Sequence, residues 1–259
     1  TITVLVLLIN NPFGVAILSP FILGGVVSAV CLFAFFVWWE LKSDSPMLQL
    51  RMFKNLVLSL AIATRFLGFL GTTAVRFLMP IYLISVRDIQ EAAAGGILFL
   101  TSLGMAMAAS SSGRLGDRIG ERPFTIVGFL MVIVTALAFT FFTSDTSLWI
   151  VMFVLLVNGL AMGLWGVPNN STILGSVPRE AFGVVGALTN LTRNVGNVTG
   201  QAIASAVVVG VMAADGFDIP LSEITGNAAA SGSFLDGWKL AYILVTIFSL
   251  MGLILAIFT

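Results

Sequence analysis

Apolar runs broken by charges and by Gly, Pro and Asn recur along the whole chain. Most have the ~20 residues that a helix rising ~1.5 Å per residue needs to cross a ~30 Å hydrocarbon core. They predict seven full membrane spans, at residues 18–39, 56–85, 92–112, 124–143, 148–173, 182–213 and 238–258, and a truncated eighth at 2–9. The connections are short except for residues 214–237, whose Gly, Ser, Asn and acidic residues predict an aqueous loop. Short links between long helices predict antiparallel neighbours in a bundle. The expected fold is an all-α polytopic membrane protein.

Composition agrees and narrows the chemistry. Of 259 residues, 58% are hydrophobic and 9% charged, and mean hydropathy is +1.08, which excludes a water-soluble domain. There is no histidine, and the single Cys31 falls mid-span, so hydrolytic, redox and zinc chemistry lack their usual groups. No catalytic residue, metal or cofactor is expected. An intramembrane enzyme would need nucleophiles or acids clustered at one depth, and none are found. The net charge of zero gives no reason to expect nucleic acid as a partner. The chain begins Thr-Ile-Thr-Val, already membrane-like, without an initiator methionine or basic leader; it reads as a portion whose N-terminal part is missing.

Lys and Arg set the orientation, because cytoplasmic loops carry an excess of them. Lys42, Arg51, Lys54, Arg114, Arg118, Arg122 and Arg179 fall on one side, and only Arg87 and Lys239 on the other. Residues 40–55, 113–123 and 174–181 and the C-terminus are therefore expected in the cytoplasm, and the loop 214–237, with Asp215, Asp218, Glu223 and Asp236, outside. Arg65, Arg76 and Arg193 lie within spans, where each costs ~2.5–3.5 kcal/mol at a helix centre and so should face protein or water. No Asp or Glu lies within a predicted span to pair with them. Arginine keeps its proton across the working pH range, so these residues cannot carry protons for transport.

Residues 186–203, GALTNLTRNVGNVTGQAI, place five polar groups on one stripe. At ~100° per residue with Asn190 at zero, Arg193 falls near about 300°, Asn197 near about 340°, Gln201 near about 20° and Asn194 near about 40°. Gly196 and Gly200 flank the stripe as a close-packing seam. Arg193 lies about 16 Å beyond Phe182, close to the bilayer midplane, where transporter sites sit. The stripe reads either as a cavity wall or, for its Asn and Gln members, as glue between helices. Arg65 and Arg76, eleven residues apart, share a face. Arg65 is a cavity candidate, whereas Arg76 is near enough to the outer end of its span to snorkel.

Gly159, Gly163 and Gly166 form another packing stripe, beside Asn158, Pro168, Asn169 and Asn170. Asn169 and Asn170 are placed to resatisfy backbone groups freed by Pro168. Trp38, Trp39, Trp149 and Trp238 stand near predicted span ends, as an interfacial belt would. Trp165 sits deeper and is a candidate contact for an aromatic substrate. Between two spans runs GRLGDRIGERP, residues 113–123, in which Gly113 and Gly120 permit tight turning and Asp117, Arg118 and Arg122 can form a charge network across helix ends. It reads as a gating device or as a solvated turn obeying the positive-inside rule.

This last string resembles the G-x-L-x-D-R-x-G-x-[KR]-[KR] loop of the major facilitator superfamily, with Pro123 in place of the final basic residue. Residues 40–55 (ELKSDSPMLQLRMFKN) resemble the connection into the last six helices of that superfamily's fourteen-span drug:proton antiporter branch. Residues 158–170 (NGLAMGLWGVPNN) and 178–201 resemble its two penultimate helices, including an N-x-x-R-x-x-G-x-x-x-G pattern at Asn190, Arg193, Gly196 and Gly200. The resemblance implies two six-helix bundles around a central cavity, alternating access, a gating role for the 113–123 loop, and proton-driven export of amphipathic compounds. On this reading residues 1–39 hold the end of one span and a complete central span, 40–55 a cytoplasmic linker, and 56–259 the C-terminal six-helix bundle of a multi-pass inner-membrane protein. Its expected partners are the missing N-terminal half, the bilayer, protons and a small-molecule substrate. The rival reading is a non-transporting scaffold or regulatory half-protein, in which the polar stripe is assembly glue.

Overall fold

A computed structural model of the chain describes residues 31, 35, 50–217, 219, 221, 224 and 226–259. The spans expected at 2–9 and, but for residues 31 and 35, at 18–39, with Trp38 and Trp39, and most of the linker lie outside the described residues. Every element among the described residues is helical. Six helices are long and apolar enough to cross a membrane. They are α1 (Leu56–Ile81), α2 (Glu91–Ile119), α3 (Arg122–Thr140), α4 (Leu148–Gly175), α5 (Phe182–Ala214) and α6 (Ala228–Ile257). Large apolar side chains such as Phe99, Val134, Phe153 and Ile254 remain exposed on the outside, as lipid-facing positions require.

Local chemistry explains the helix ends. The Asn55 side chain caps α1, accepting from the backbone N–H of Val57 and Leu58, while its amide donates to the Ser176 carbonyl at 3.0 Å. Near the other end, Pro80 precedes a π-helical turn, Tyr82–Val86, that prolongs the span. Gly120, at φ +91°, makes the turn between α2 and α3. Two boundaries differ from the sequence reading. The stretch 113–119 is the last part of α2 rather than loop, because charged residues end an apolar run without breaking a helix, and only Gly120 reverses the backbone. Likewise α6 begins at Ala228, capped by Asn227, so the loop expected over 214–237 shrinks to 215–227. Asp236 consequently stands on a helix, where it is exposed and pairs with Lys239 at 2.8 Å.

The consecutive pairs α3–α4 and α5–α6 pack as antiparallel neighbours, as expected, with Gly128 beside Trp165 and Thr135 beside Asn158 in the first, but the most extensive packing joins helices that are not consecutive. α2 packs chiefly on α4, and α1 on α5, α6 and α4; α3 packs on α4 and α6. Within α1–α5, Arg65 meets Thr189 and Thr73 meets Asn197, both at a separation of 124, so these two helices run in the same direction. Glycines bring them together: a Cβ on Gly196 would lie 3.0 Å from the Phe66 carbonyl oxygen, and one on Gly200 would overlap Leu70. Gly159 and Gly163 do the same against Thr101 and Met105 of α2.

Two polar or aromatic residues have roles different from those expected. Trp238 is fully buried rather than interfacial: its indole donates to the Phe139 carbonyl at 2.7 Å amid Tyr82, Phe142, Phe234 and Tyr242. Asn169 does not repair the helix around Pro168 but donates across to Ala61 of α1 at 3.0 Å. Trp149 is 80% exposed near the start of α4, in keeping with a belt position.

Candidate functional site

Between α1, α4 and α5, with one edge on α2, lies an open cleft of about 570 Å³ around the middle of the helices. α1 contributes Arg65, Phe69 and Arg76; α4 contributes Trp165, Gly166, Asn170 and Ser171; α5 contributes Arg193, Asn194 and Asn197. Met105 and Met162 complete it with adaptable apolar surface. Among the described residues, no Asp or Glu lines it. All three arginines of the spans thus meet in one place.

Their surroundings differ. Arg65 is 8% exposed, its Nε donates to the Thr189 carbonyl at 3.3 Å, and its guanidinium lies 5.2 Å from the centre of the Phe69 ring. It is a fixed charge. Arg76 and Arg193 are exposed and have no hydrogen-bond or ion-pair partner among the described residues. The constant separation of 124 between α1 and α5 sets Arg193 level with Phe69, between the heights of Arg65 and Arg76. The Thr73 hydroxyl bridges the Phe69 carbonyl and the Asn197 carboxamide, 2.7 Å from each, and so fixes one lining amide.

The polar stripe of α5 is only partly drawn into the cleft. Arg193, Asn194 and Asn197 line it, whereas Asn190 and Gln201, at the two ends of the stripe, are exposed and outside it. The Asn190 amide donates to its own helix at the Gly186 carbonyl, 3.1 Å away. Trp165 forms the floor: it is 1% exposed, its ring centre is 5.2 Å from that of Phe69 and 5.3 Å from that of Phe129, and a Cβ on Gly68 would lie 2.5 Å from its indole. Arg76, for which a snorkelling role competed, was discernible from its eleven-residue spacing to Arg65. Asn170 and Ser171 carried no such signal. Asn158 instead serves packing, donating to Thr135 Oγ1 at 3.0 Å in the buried α3–α4 contact.

The 113–123 motif forms a junction of helix ends. Gly113, Asp117 and Arg118 ride on the last turns of α2, Gly120 makes the turn, and Arg122 at the start of α3 donates to the Ile257 carbonyl of α6. Glu121 accepts from Thr172 of α4 at 3.4 Å. The expected charge network is absent among the described residues, whose only salt bridge is Lys239–Asp236. Asp117 and Arg118 are exposed side chains in the last turns of α2.

Comparison with known proteins places this architecture. The model of the Major Facilitator Superfamily matches residues 3–201. The chain is similar to the riboflavin transporter RibZ of Clostridioides difficile, 27% identical over 180 residues, 70% of this chain and 40% of that protein. It is similar to the lincomycin resistance protein LmrB of Listeria innocua, 24% identical over 252 residues, 96% of this chain and 51% of that protein. Over 181 residues it is 27% identical to the multidrug resistance protein Stp of Mycobacterium tuberculosis, covering 70% of this chain and 34% of that one. The chain spans about half the length, or less, of the curated relatives it matches.

Proposed function

Because the chain belongs to the major facilitator superfamily, a family of membrane transporters, we propose that it forms one wall of the central cavity of a secondary transporter exporting amphipathic small molecules. The observation that carries this reading is the cleft: three arginines and three asparagines gathered at mid-membrane depth beside Phe69 and Trp165. Relatives named for resistance to drugs favour export of drug-like compounds, and the residue patterns at 40–55, 158–170 and 178–201 are those of the fourteen-span branch it resembles. The opposing wall then comes from an N-terminal half, which also supplies the proton-carrying carboxylate. Lys and Arg distribution favours a cytoplasmic 113–123 junction and C-terminus, with the 215–227 loop outside.

In the alternating cycle, the glycine-seamed pairs α1–α5 and α2–α4 act as stiff units, and the α2–α3 junction, tied to α4 through Glu121 and to α6 through Arg122, is the coupling point at the cytoplasmic face. The scaffold alternative makes a different demand, since a polar stripe used as glue would be covered. Arg193→Cys in a Cys31→Ser background separates the two. A membrane-impermeant thiol reagent should modify position 193, and Arg193→Ala should reduce export while insertion is unchanged or easier. An unreactive cysteine together with wild-type export would refute the cavity role.

A further inference from the structure

Resting on the transporter reading, we infer that the cleft selects anionic aromatic amphiphiles, carboxylates above all, and disfavours cations. Its charge is one-sided: among the described residues, Arg65, Arg76 and Arg193 line it and no acidic side chain does. Of the three, Arg65 already has a protein partner in the Thr189 carbonyl and the Phe69 ring, whereas Arg76 and Arg193 have none among the described residues. Arg193 stands on the facing helix at a height between those of the other two, so the three charges share one cleft. Like charges gathered in one cleft are relieved by an anion, and a guanidinium meets a carboxylate through two parallel N–H donors.

The remaining surface suits the rest of such a ligand. Phe69 presents an aromatic edge at the height of Arg193, and Met105 and Met162 offer polarizable surface that adapts to different ring systems. Asn170, Asn194 and Ser171 supply neutral donors and acceptors for polar substituents. On this wall a cation would meet three positive charges and no acidic side chain among the described residues.

The test uses the full gene product containing these residues, in phosphatidylcholine nanodiscs, with three probes of one shape: 2-naphthoate, 2-naphthamide and 2-naphthylmethylammonium. Equilibrium dialysis against protein-free discs should show 2-naphthoate bound about tenfold or more tightly than the neutral amide, and the ammonium weakest, as expected for charge-assisted over neutral hydrogen bonding. Arg193→Gln should bring 2-naphthoate down to the level of the amide, and Arg193→Lys should retain part of the preference. Equal or better binding of the ammonium, no binding of any probe, or a 2-naphthoate preference indifferent to Arg193→Gln and Arg76→Gln would each overturn the inference; the last would mean that groups outside the cleft neutralise it. Loss of 2-naphthoate binding when phosphatidylglycerol replaces a third of the lipid would assign the site to a lipid headgroup and overturn the free-solute reading. Export measured in parallel keeps the two proposals apart: Arg-dependent binding without export would refute the transporter and leave the anion site, and export with a cation preference the reverse.

Discussion

Replacing Gly159 by alanine should unseat α2, and replacing Gly166 on the same helix should not. A Cβ at position 159 would overlap the Thr101 carbonyl oxygen and lie 2.8 Å from its carbonyl carbon and 2.9 Å from its Cα. Ordinary contacts between carbon atoms begin near about 3.5 Å, so α2 would have to withdraw by roughly 0.6 Å or more. Little holds it in place otherwise, because α2 packs chiefly on α4. The withdrawal also loosens the neighbouring approaches at Gly104 and Gly163, and a gap of about 0.5–1 Å forfeits a quarter to a half of each contact's attraction. Overpacking of this kind costs about 1–3 kcal/mol, against which alanine's better helix propensity returns up to about 1 kcal/mol. At Gly166 an added Cβ meets nothing within 4 Å, leaving only the propensity gain. Unfolding by increasing mole fraction of dodecyl sulfate, followed by circular dichroism, should rank Gly166→Ala at or above the parent and Gly159→Ala below it. If Gly159→Ala is as stable as Gly166→Ala, the α2–α4 seam does not depend on close backbone approach and the packing account is wrong.

Two further outcomes follow from charge. A tag inserted near Gly226 should be reached by protease only from outside and a tag beside Asp117 only from the cytoplasm; the opposite pattern in sealed cells would invert the orientation. Vesicles containing residues 1–259 alone should show insertion but no drug-dependent proton flux, because arginines keep their protons and no carboxylate among the described residues lines the cleft; flux in them would overturn the proposed division of labour between the two halves.

The positions of the described spans were legible because hydrocarbon sets a minimum apolar length, and α1, α3, α4 and α5 begin and end within a few residues of the reading. Ends governed by backbone geometry were not. Charges at Arg114, Asp117 and Arg118 looked like loop, yet a helix tolerates charge and yields only where Gly120 takes a positive φ. Periodicity placed Arg193 and Asn197 on one face of α5 but could not say where the cleft stops, so Asn190 and Gln201 were carried along with them. Trp238 shows the limit of reading burial from linear position: α6 starts ten residues before the apolar run does, which turns a presumed span end into bundle interior. Glycine spacing revealed surfaces made for contact but not which helices would meet.

Trp165 has a consequence for how such a protein can change over generations. Its backbone and Cβ rest against Gly128 of α3, where an added Cβ would come within 2.6 Å, while its indole fills the notch at Gly68 of α1. A mutation at any one of these three positions leaves either a void or a collision at the others, so the floor can be altered only by coordinated replacements that single steps do not supply. Asn170, Ser171 and Asn194 are under no such constraint, since none is buried. On the proposed transporter reading, descendants of this chain are therefore free to acquire new ligand ranges through the sides of the cleft, one substitution at a time, over a base that inheritance holds constant.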